Sequence, residues 1–259
     1  MTEPVPAHQR YQPAPADLRG RVIAITGAGD GIGRAVALAA AAQGASVVLI
    51  GRGTAKLEAV HAAIPEPQRA AASIALLDLD KAVAKDYDQL ADALLARYGR
   101  LDALLHNAGI LGTLAPIETY DVPTWCRVLH VNLTAAFALT QVLMPSLRAS
   151  PDGSIVFTSS GVARQPRAYW GAYAVSKAGI EVFSAMLALE VQQSSALRVN
   201  VLNPGPVRTR MRAQAFPAED PRGLAAPEQV VAPYLWLLGA ASRGVTGRTL
   251  NCQAAHPAR

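Results

Sequence analysis

Apolar residues in this chain gather in short, nearly unbroken blocks, separated by longer stretches whose apolar positions recur at helical spacing. The blocks are Val22-Ile23-Ala24-Ile25, Ser46-Val47-Val48-Leu49-Ile50, Ser73-Ile74-Ala75-Leu76-Leu77, Leu101-Asp102-Ala103-Leu104-Leu105 and Ser154-Ile155-Val156-Phe157-Thr158-Ser159-Ser160. Blocks of this length, bounded by turn residues, read as buried strands. Helices are expected over the alanine-rich stretch Arg34 to Ala42, from Val122 to Leu147, and from Tyr173 to Gln193. Strand-like and helical runs alternate about seven times without a repeat or a low-complexity block. That order predicts a single-domain α/β fold, a doubly wound parallel sheet with helices on both faces. A chain of 259 residues fits one such unit. The domain is expected over residues 18–259. Residues 1–17 contain Pro4, Pro6, Pro13 and Pro15 and no apolar core, so they read as a flexible arm, neither a signal peptide nor a membrane span.

Composition narrows the function classes. Half of the residues are hydrophobic, enough for a large core, and nowhere do eighteen apolar residues follow one another. No membrane association is expected. The formal net charge of +5 invites a nucleic-acid reading, but the arginines are scattered and no basic run or aromatic-interleaved basic module is present. Cys126 and Cys252 are too few for a disulfide framework and have no His signature around them, which fits a reducing cytoplasm.

Candidate chemistry begins after the first strand. Thr26-Gly27-Ala28-Gly29-Asp30-Gly31-Ile32-Gly33 joins a strand to a helix. Glycines there let the backbone turn tightly and approach a pyrophosphate, while the helix N-terminus offers unpaired N–H groups and partial positive charge. A dinucleotide site is the natural reading. At the end of the second strand an NAD-selective site places Asp or Glu on the ribose 2′-hydroxyl; this chain has Gly51-Arg52. An Arg can hold a 2′-phosphate through a charge-assisted fork. NADP(H) is therefore favoured, with NAD(H) still possible because Asp30 brings a negative charge to the same region.

Tyr173 and Lys177 stand four apart in a helical segment, so their side chains share a face. A nearby cation favours the phenolate, and lowering a Tyr pKa by roughly 3 units takes about 4 kcal/mol of differential stabilisation. Ser160 sits at the C-terminal end of its strand, where ligands bind in open parallel sheets, and could polarise a substrate oxygen. Strand alternation turns Ser159 elsewhere.

These motifs, together with Asn107-Ala108-Gly109, Asn132 and Asn203-Pro204-Gly205, resemble in order and spacing the short-chain dehydrogenase/reductase family, including its thirteen-residue step from Ser160 to Tyr173. The likeness runs from about Leu18 to Asn251. More narrowly, Tyr11-Gln12-Pro13, His106-Asn107-Ala108-Gly109 and the segment from Met211 to Pro221 look like its YciK-type bacterial oxidoreductases. The resemblance implies a Rossmann fold with a seven-stranded sheet, and roles for individual residues. Tyr173 would be the general acid for carbonyl reduction and the base for alcohol oxidation, and Ser160 would bind the substrate oxygen. Lys177 would bind the nicotinamide ribose and lower the Tyr173 pKa; Asn132 would help hold a water joining Lys177 to a proton relay.

For the cofactor, the resemblance implies Gly27, Gly29, Asp30, Gly31, Ile32 and Gly33 at the glycine loop, and Arg52 at the ribose. Asp78 with Leu79 would lie at the adenine, and Asn107, Ala108 and Gly109 beside the adenosine ribose. Pro204, Gly205, Val207 and Thr209 would cup the nicotinamide. Residues 208–228 would form a lid over a small carbonyl or alcohol substrate. The family's helix pairing implies a homodimer or homotetramer through the helices holding Asn132 and Tyr173. His106 replaces the commoner Asn of this motif and points to a local hydrogen bond; no second ligand stands near enough for a metal.

All four expected catalytic side chains are present, which favours an NADP(H)-dependent oxidoreductase over a non-catalytic NADP(H)-binding sensor or scaffold. Enoyl reduction would place a Tyr seven residues before Lys177, where Trp170 stands, and Ser160 lacks the Gly-x-Ser-x-Gly elbow of a hydrolase. The lid carries both apolar residues (Met211, Phe216, Leu224) and Arg208, Arg210 and Arg212, which leaves ketones, aldehydes, quinones and 3-oxoacyl thioesters open as substrates.

Overall fold

The computed structural model describes residues 6–253. The first half contains α1 (Ala7–Arg10), β1 (Val22–Thr26), α2 (Gly31–Ala42), β2 (Ser46–Gly51), α3 (Thr54–Ala63), α4 (Gln68–Ala71), β3 (Ser73–Leu76), α5 (Ala84–Tyr98) and β4 (Ala103–His106). The second half follows with α6 (Val122–Leu129), a π turn (His130–Thr134), α7 (Ala135–Arg148), β5 (Ser154–Thr158) and α8 (Gly171–Val191). It closes with β6 (Arg198–Asn203), α9 (Arg210–Ala215), α10 (Val231–Leu238) and β7 (Thr249–Asn251).

The strands form one parallel sheet in the order β3-β2-β1-β4-β5-β6-β7. Chain order reverses direction between β1 and β4, and the crevice at such a switch point, past the C-terminal ends of the strands, is where open α/β sheets bind ligands. Both faces of the sheet are covered, which explains the unbroken apolar blocks. Ile23, Ile25, Val47 and Leu49 point to one side, against Val36 and Ala40 of α2 and Leu235 of α10. Val22, Ala24, Val48 and Ile50 point to the other, against Leu90 of α5, Leu139 and Leu143 of α7, and Ile180 of α8. Each fully buried aliphatic side chain of this kind contributes about 1.5–3 kcal/mol.

The opposite, N-terminal edge of the sheet is tied by charge. Asp152 pairs with Arg21 at 2.9 Å, Arg198 at 3.2 Å and Arg243 at 3.5 Å. Asp102 accepts from Val22 N at 2.9 Å, Ser150 Oγ at 2.6 Å and Arg100 Nε at 3.0 Å. Burial works against the Asp102 charge, but the bonds from Ser150, Val22 and Arg100 hold its carboxyl below the ordinary range, and the pairs at both carboxylates fix where β1, β4, β5 and β6 begin.

Two expectations need correction. Residues 1–5 of the expected arm lie outside the described residues, but from Pro6 onward the arm is docked. His8 is buried and its Nε2 donates to Asn251 O at 2.9 Å, while Gln9 Nε2 donates to the same oxygen at 2.8 Å. His8 also packs on Trp236, and Tyr11 donates to Asp17 Oδ2 at 2.6 Å. The prolines do not prevent docking: after Pro6 the chain makes one helical turn, α1, whose His8 and Gln9 reach the neighbouring edge. Second, the helix expected over Val122–Leu147 is continuous but not α throughout: it widens into a π turn at His130–Thr134, where Ala135 N bonds His130 O five residues back. Such π turns occur mostly as single inserted turns and often at functional sites. The run Val122–Arg148 is long and apolar enough to cross a membrane by composition, and 44% of its most apolar window is buried inside the fold.

Candidate functional site

A cavity of about 1130 Å³ opens along the C-terminal ends of β1, β4, β5 and β6. Its floor at β1 is the glycine loop. Gly27 has φ +68°, and Gly33 is pressed so closely that an added Cβ would lie 2.3 Å from Gly27 O and 2.6 Å from Asn107 Nδ2. Only glycine fits there. Asp30 caps α2, its Oδ1 accepting from Gly31 N at 2.8 Å. Thr26, which sequence reading left without a role, joins the floor to β4: its Oγ1 accepts from Asn107 N at 3.0 Å and Ala108 N at 3.1 Å.

At the β2 end no carboxylate occupies position 51 or 52, and Arg52 lines the cavity. Lys56, in the first turn of α3, lines it too and pairs with Asp30 Oδ2 at 2.5 Å. That contact holds the Asp30 carboxyl below its ordinary range, with Arg210 adding attraction from 4.0 Å. Asp30 is thus a neutralised cap, and its charge does not oppose a phosphate as the sequence suggested. Lys56 was missed; its signal was a second basic residue four positions past Arg52, one turn into the next helix. Gly53 gives α3 no side-chain cap, leaving the N–H groups of its first turn open. Asp78 and Leu79 line the same end, with Asp78 Oδ1 accepting from Asp80 N at 3.2 Å.

The opposite end carries the titratable groups. β5 stops at Thr158; Ser159 turns away to Glu181 Oε1 at 2.7 Å, and Ser160 faces the cavity. Ser160 opens the short turn Gly161–Ala163, yet its hydroxyl makes no capping bond. Tyr173 and Lys177 lie one helical turn apart on α8, both buried. Burial pushes the phenol up to about 12, the Ser160 hydroxyl offsetting part of this, and pushes the Lys177 ammonium down to about 8. Lys177 Nζ donates to Thr158 O at 2.8 Å and stands 5.7 Å from the centre of the Tyr173 ring. The expected lowering of Tyr173 by Lys177 is therefore corrected: in this arrangement desolvation outweighs a cation whose proton is directed at a carbonyl.

Two expected site residues do not line the cavity. Gly33 acts from beneath, by letting α2 approach the loop. Asn132, inside the π turn, sits behind the wall: Oδ1 accepts from Ile110 N at 2.8 Å, and Nδ2 donates to Ile110 O and Ser176 Oγ, both at 3.0 Å. In this structure the side chain fixes the segment after Gly109 against α8.

The remaining expected residues close the cavity from the β6 side. Gly205 has φ +73°, and Gln253 Nε2 donates to Pro204 O at 2.8 Å and Pro206 O at 2.9 Å, holding that turn. Val207 is buried beside Ala225, and Thr209 caps α9 while its methyl lies over Gly31. Ile32 and the backbone from Asn107 to Gly109 complete the lining. Within the lid segment, Arg212 grips Glu219 through two bonds of 2.6 Å and stacks 3.7 Å over Phe216. Phe216 packs on Trp170 and Trp170 on Tyr173, at centroid distances of 5.7 and 5.8 Å.

His106 stacks on Phe157 at 4.7 Å, and its Nε2 meets Thr140 Oγ1 at 2.9 Å. Because that hydroxyl donates to Ala136 O, the imidazole N–H is the donor. Complete burial pushes the His106 pKa down to about 3, so the ring is neutral. Among the described residues no cluster of His, Cys, Asp and Glu is arranged to hold a metal.

Known proteins share this architecture. The family profile described as short chain dehydrogenase matches residues 21–220. The oxidoreductase YciK of Escherichia coli K12 is 47% identical over 243 residues, 94% of this chain and 96% of its own. A short chain dehydrogenase from Shigella flexneri 2a, solved in complex with NADP, superposes with a TM-score of 0.89 at 46% identity, over 92% of this chain and all of its own. Another from Escherichia coli CFT073, solved with NADPH, gives 0.89 at 47% identity, over 93% and all of the respective chains. Sheet order, glycine loop, the Ser160–Tyr173–Lys177 wall and these likenesses agree: the chain belongs to the short-chain dehydrogenase family, as a YciK-like oxidoreductase.

Proposed function

We propose that the protein is an NADP(H)-dependent oxidoreductase that interconverts a small-molecule carbonyl and its alcohol, with Tyr173 as general acid and base. The observation that carries this reading is one cavity with Ser160, Tyr173 and Lys177 at one end and Arg52 with Lys56, and no carboxylate at position 51 or 52, at the other. The close-packed Gly27–Gly33 cradle and the open N-terminus of α3 fit a dinucleotide, and relatives solved with NADP and NADPH support the choice. When bound, NADPH supplies a hydride.

The chain's own groups handle the oxygen and its proton. Ser160, whose hydroxyl is unused in capping, donates to the carbonyl oxygen. Tyr173, kept protonated by burial, gives its proton to that oxygen in reduction and takes it back in oxidation. Lys177 holds ribose hydroxyls by exchanging its bond to Thr158 O for them. Arg52 and Lys56 bind the 2′-phosphate, the Lys56 ammonium turning one N–H to it while another stays on Asp30. The aromatic ladder Phe216–Trp170–Tyr173 shields the reacting oxygen from water.

Exposed apolar residues along α7 and α8, among them Phe137, Val182, Met186 and Leu189, support a homodimer or homotetramer. Two free thiols agree with a cytoplasmic setting, and residues 18–253 with their lid act as one catalytic domain. Fluorescence titration tests the cofactor: NADPH binds more tightly than NADH, and Arg52→Ala or Lys56→Ala weakens NADPH by about ten- to a hundredfold, the loss of one charge-assisted contact. Equal affinities, or no selective loss in either variant, refute the phosphate assignment. Oxidation of NADPH with a panel of ketones, aldehydes, quinones and 3-oxoacyl thioesters tests turnover; binding without turnover on any of them would favour a sensor.

A further inference from the structure

Ser160 must hold its hydroxyl at a fixed distance from Tyr173, and the loop carrying it packs through Val162, which is buried with Ala172 and Tyr173, but thinly on either side of it. An added Cβ at Gly161 would find its nearest neighbour 4.0 Å away, and residues 164–169 are mostly exposed. The two ends of the loop are held in addition by a side chain of α8. Glu181 lies one turn beyond Lys177 and two beyond Tyr173, so the three side chains project from one side of the helix. Both of its oxygens are engaged: Oε1 accepts from Ser159 Oγ at 2.7 Å and Oε2 from Arg164 Nε at 2.8 Å. The two anchors flank Ser160 in the chain. The side chain of Glu181 is only 15% exposed and Ser159 is buried, whereas Arg164 is half exposed. Charge-assisted bonds to buried partners are the strong ones, so the Ser159 arm carries most of the grip.

We propose that Glu181 is a positioning residue of the reaction: by clamping Ser159 and Arg164 to the helix that bears Tyr173, it fixes the Ser160 hydroxyl relative to the phenol. It touches neither substrate nor cofactor and acts only through Ser160. The proposal rests on the oxidoreductase reading. Loss of the clamp acts on kcat, because the Ser160 bond strengthens as charge develops on the oxygen and a displacement near 1 Å can cost about a hundredfold.

The test is a mutant cycle on any carbonyl that the wild type reduces. Glu181→Ala lowers kcat by about ten- to a hundredfold, with KM and the NADPH dissociation constant within about twofold. Ser159→Ala lowers kcat in the same direction, and this arm decides the matter if Glu181→Ala does not fold. Glu181→Gln, which keeps an acceptor for Ser159, recovers most of the rate. In a Ser160→Ala background, Glu181→Ala and Ser159→Ala have no further effect on kcat, since the group they position is gone. A merely structural role would lower the melting temperature and leave kcat per NADPH-binding site unchanged. If Ser160→Ala impairs turnover while Glu181→Ala and Ser159→Ala do not, or if their cost persists undiminished without Ser160, the clamp is refuted and the oxidoreductase reading stands. A wild type that binds NADPH and reduces nothing overturns both.

Discussion

Gly33→Ala adds one methyl group to a place that has no room for it. The new Cβ would lie 2.3 Å from Gly27 O, 2.6 Å from Asn107 Nδ2 and 2.9 Å from Gly27 C. Carbon atoms in contact stand about 3.5–4.0 Å apart, so the overlap with the Gly27 carbonyl is more than about 1 Å and involves backbone, which cannot rotate out of the way. Either α2 lifts from the sheet or the glycine loop is pushed into the cavity. Overpacking of this kind costs about 1–3 kcal/mol, which for a chain of this size lowers the melting temperature by about 2–12 °C. Because the displaced atoms are the cofactor cradle, NADPH affinity falls at least about tenfold, and the loss should exceed the stability loss in functional terms. Gly223→Ala is the control. Its Cβ would meet nothing within 4 Å and lies outside the cavity lining, so both quantities change little. Differential scanning fluorimetry and fluorescence titration of NADPH measure the two effects. Wild-type affinity in Gly33→Ala would show that the loop is not the cradle.

Tyr173→Phe removes only the hydroxyl that exchanges the proton, so turnover should fall about 10²–10⁴-fold with NADPH affinity nearly intact; retention of more than a tenth of the rate would refute the assignment. Lys177→Ala should impair both, by titration and by steady-state rate. Stability should depend on alkaline pH through the same pair. Lys177 titrates near 8 in the folded protein against 10.5 ordinarily, so the unfolded chain binds more protons between those values and stability rises with pH by at most about 3 kcal/mol. Tyr173 titrates near 12 against 10, so the folded protein holds the extra proton and stability falls again from 10 to 12. Denaturant titrations from pH 7 to 11 should show the rise, and Lys177→Gln should flatten it; an unchanged slope would place the proton elsewhere. Finally, Met186→Asp with Leu189→Asp should reduce the oligomer to a monomer by light scattering, and a monomeric wild type would refute that surface.

Much of the site could be read from the chain because its signals are local. Gly27 to Gly33 act through backbone shape and sit between a strand and a helix, while Tyr173 and Lys177 are fixed by helical spacing alone. Five strands showed as apolar blocks because both faces of the sheet are covered. What escaped depends on tertiary distance. Lys56 reaches the ribose end only because α3 folds back beside Asp30, and Glu181 gains meaning only when β5 ends against α8. The protonation of Tyr173 is tertiary for the same reason: a Tyr–Lys spacing reports proximity, whereas burial raises the phenol and lowers the ammonium. The π turn at Asn132 left no compositional trace, since Val131, Leu133 and Thr134 suit an ordinary helix equally well.

The docked N-terminal segment bears on how copies of the chain avoid one another. β7 is a three-residue strand at the rim of the sheet, hydrogen-bonded to β6 and, among the described residues, to no other strand. Such a rim offers a template on which a foreign strand can add. Here the Asn251 carbonyl is already taken by His8 and Gln9, and Asn251 in turn bonds Asn203, beside the turn that Gln253 holds. Removing the first seventeen residues would leave the dinucleotide cavity its own lining yet bare that carbonyl, so the shortened chain should precipitate on storage before it loses the capacity to bind cofactor.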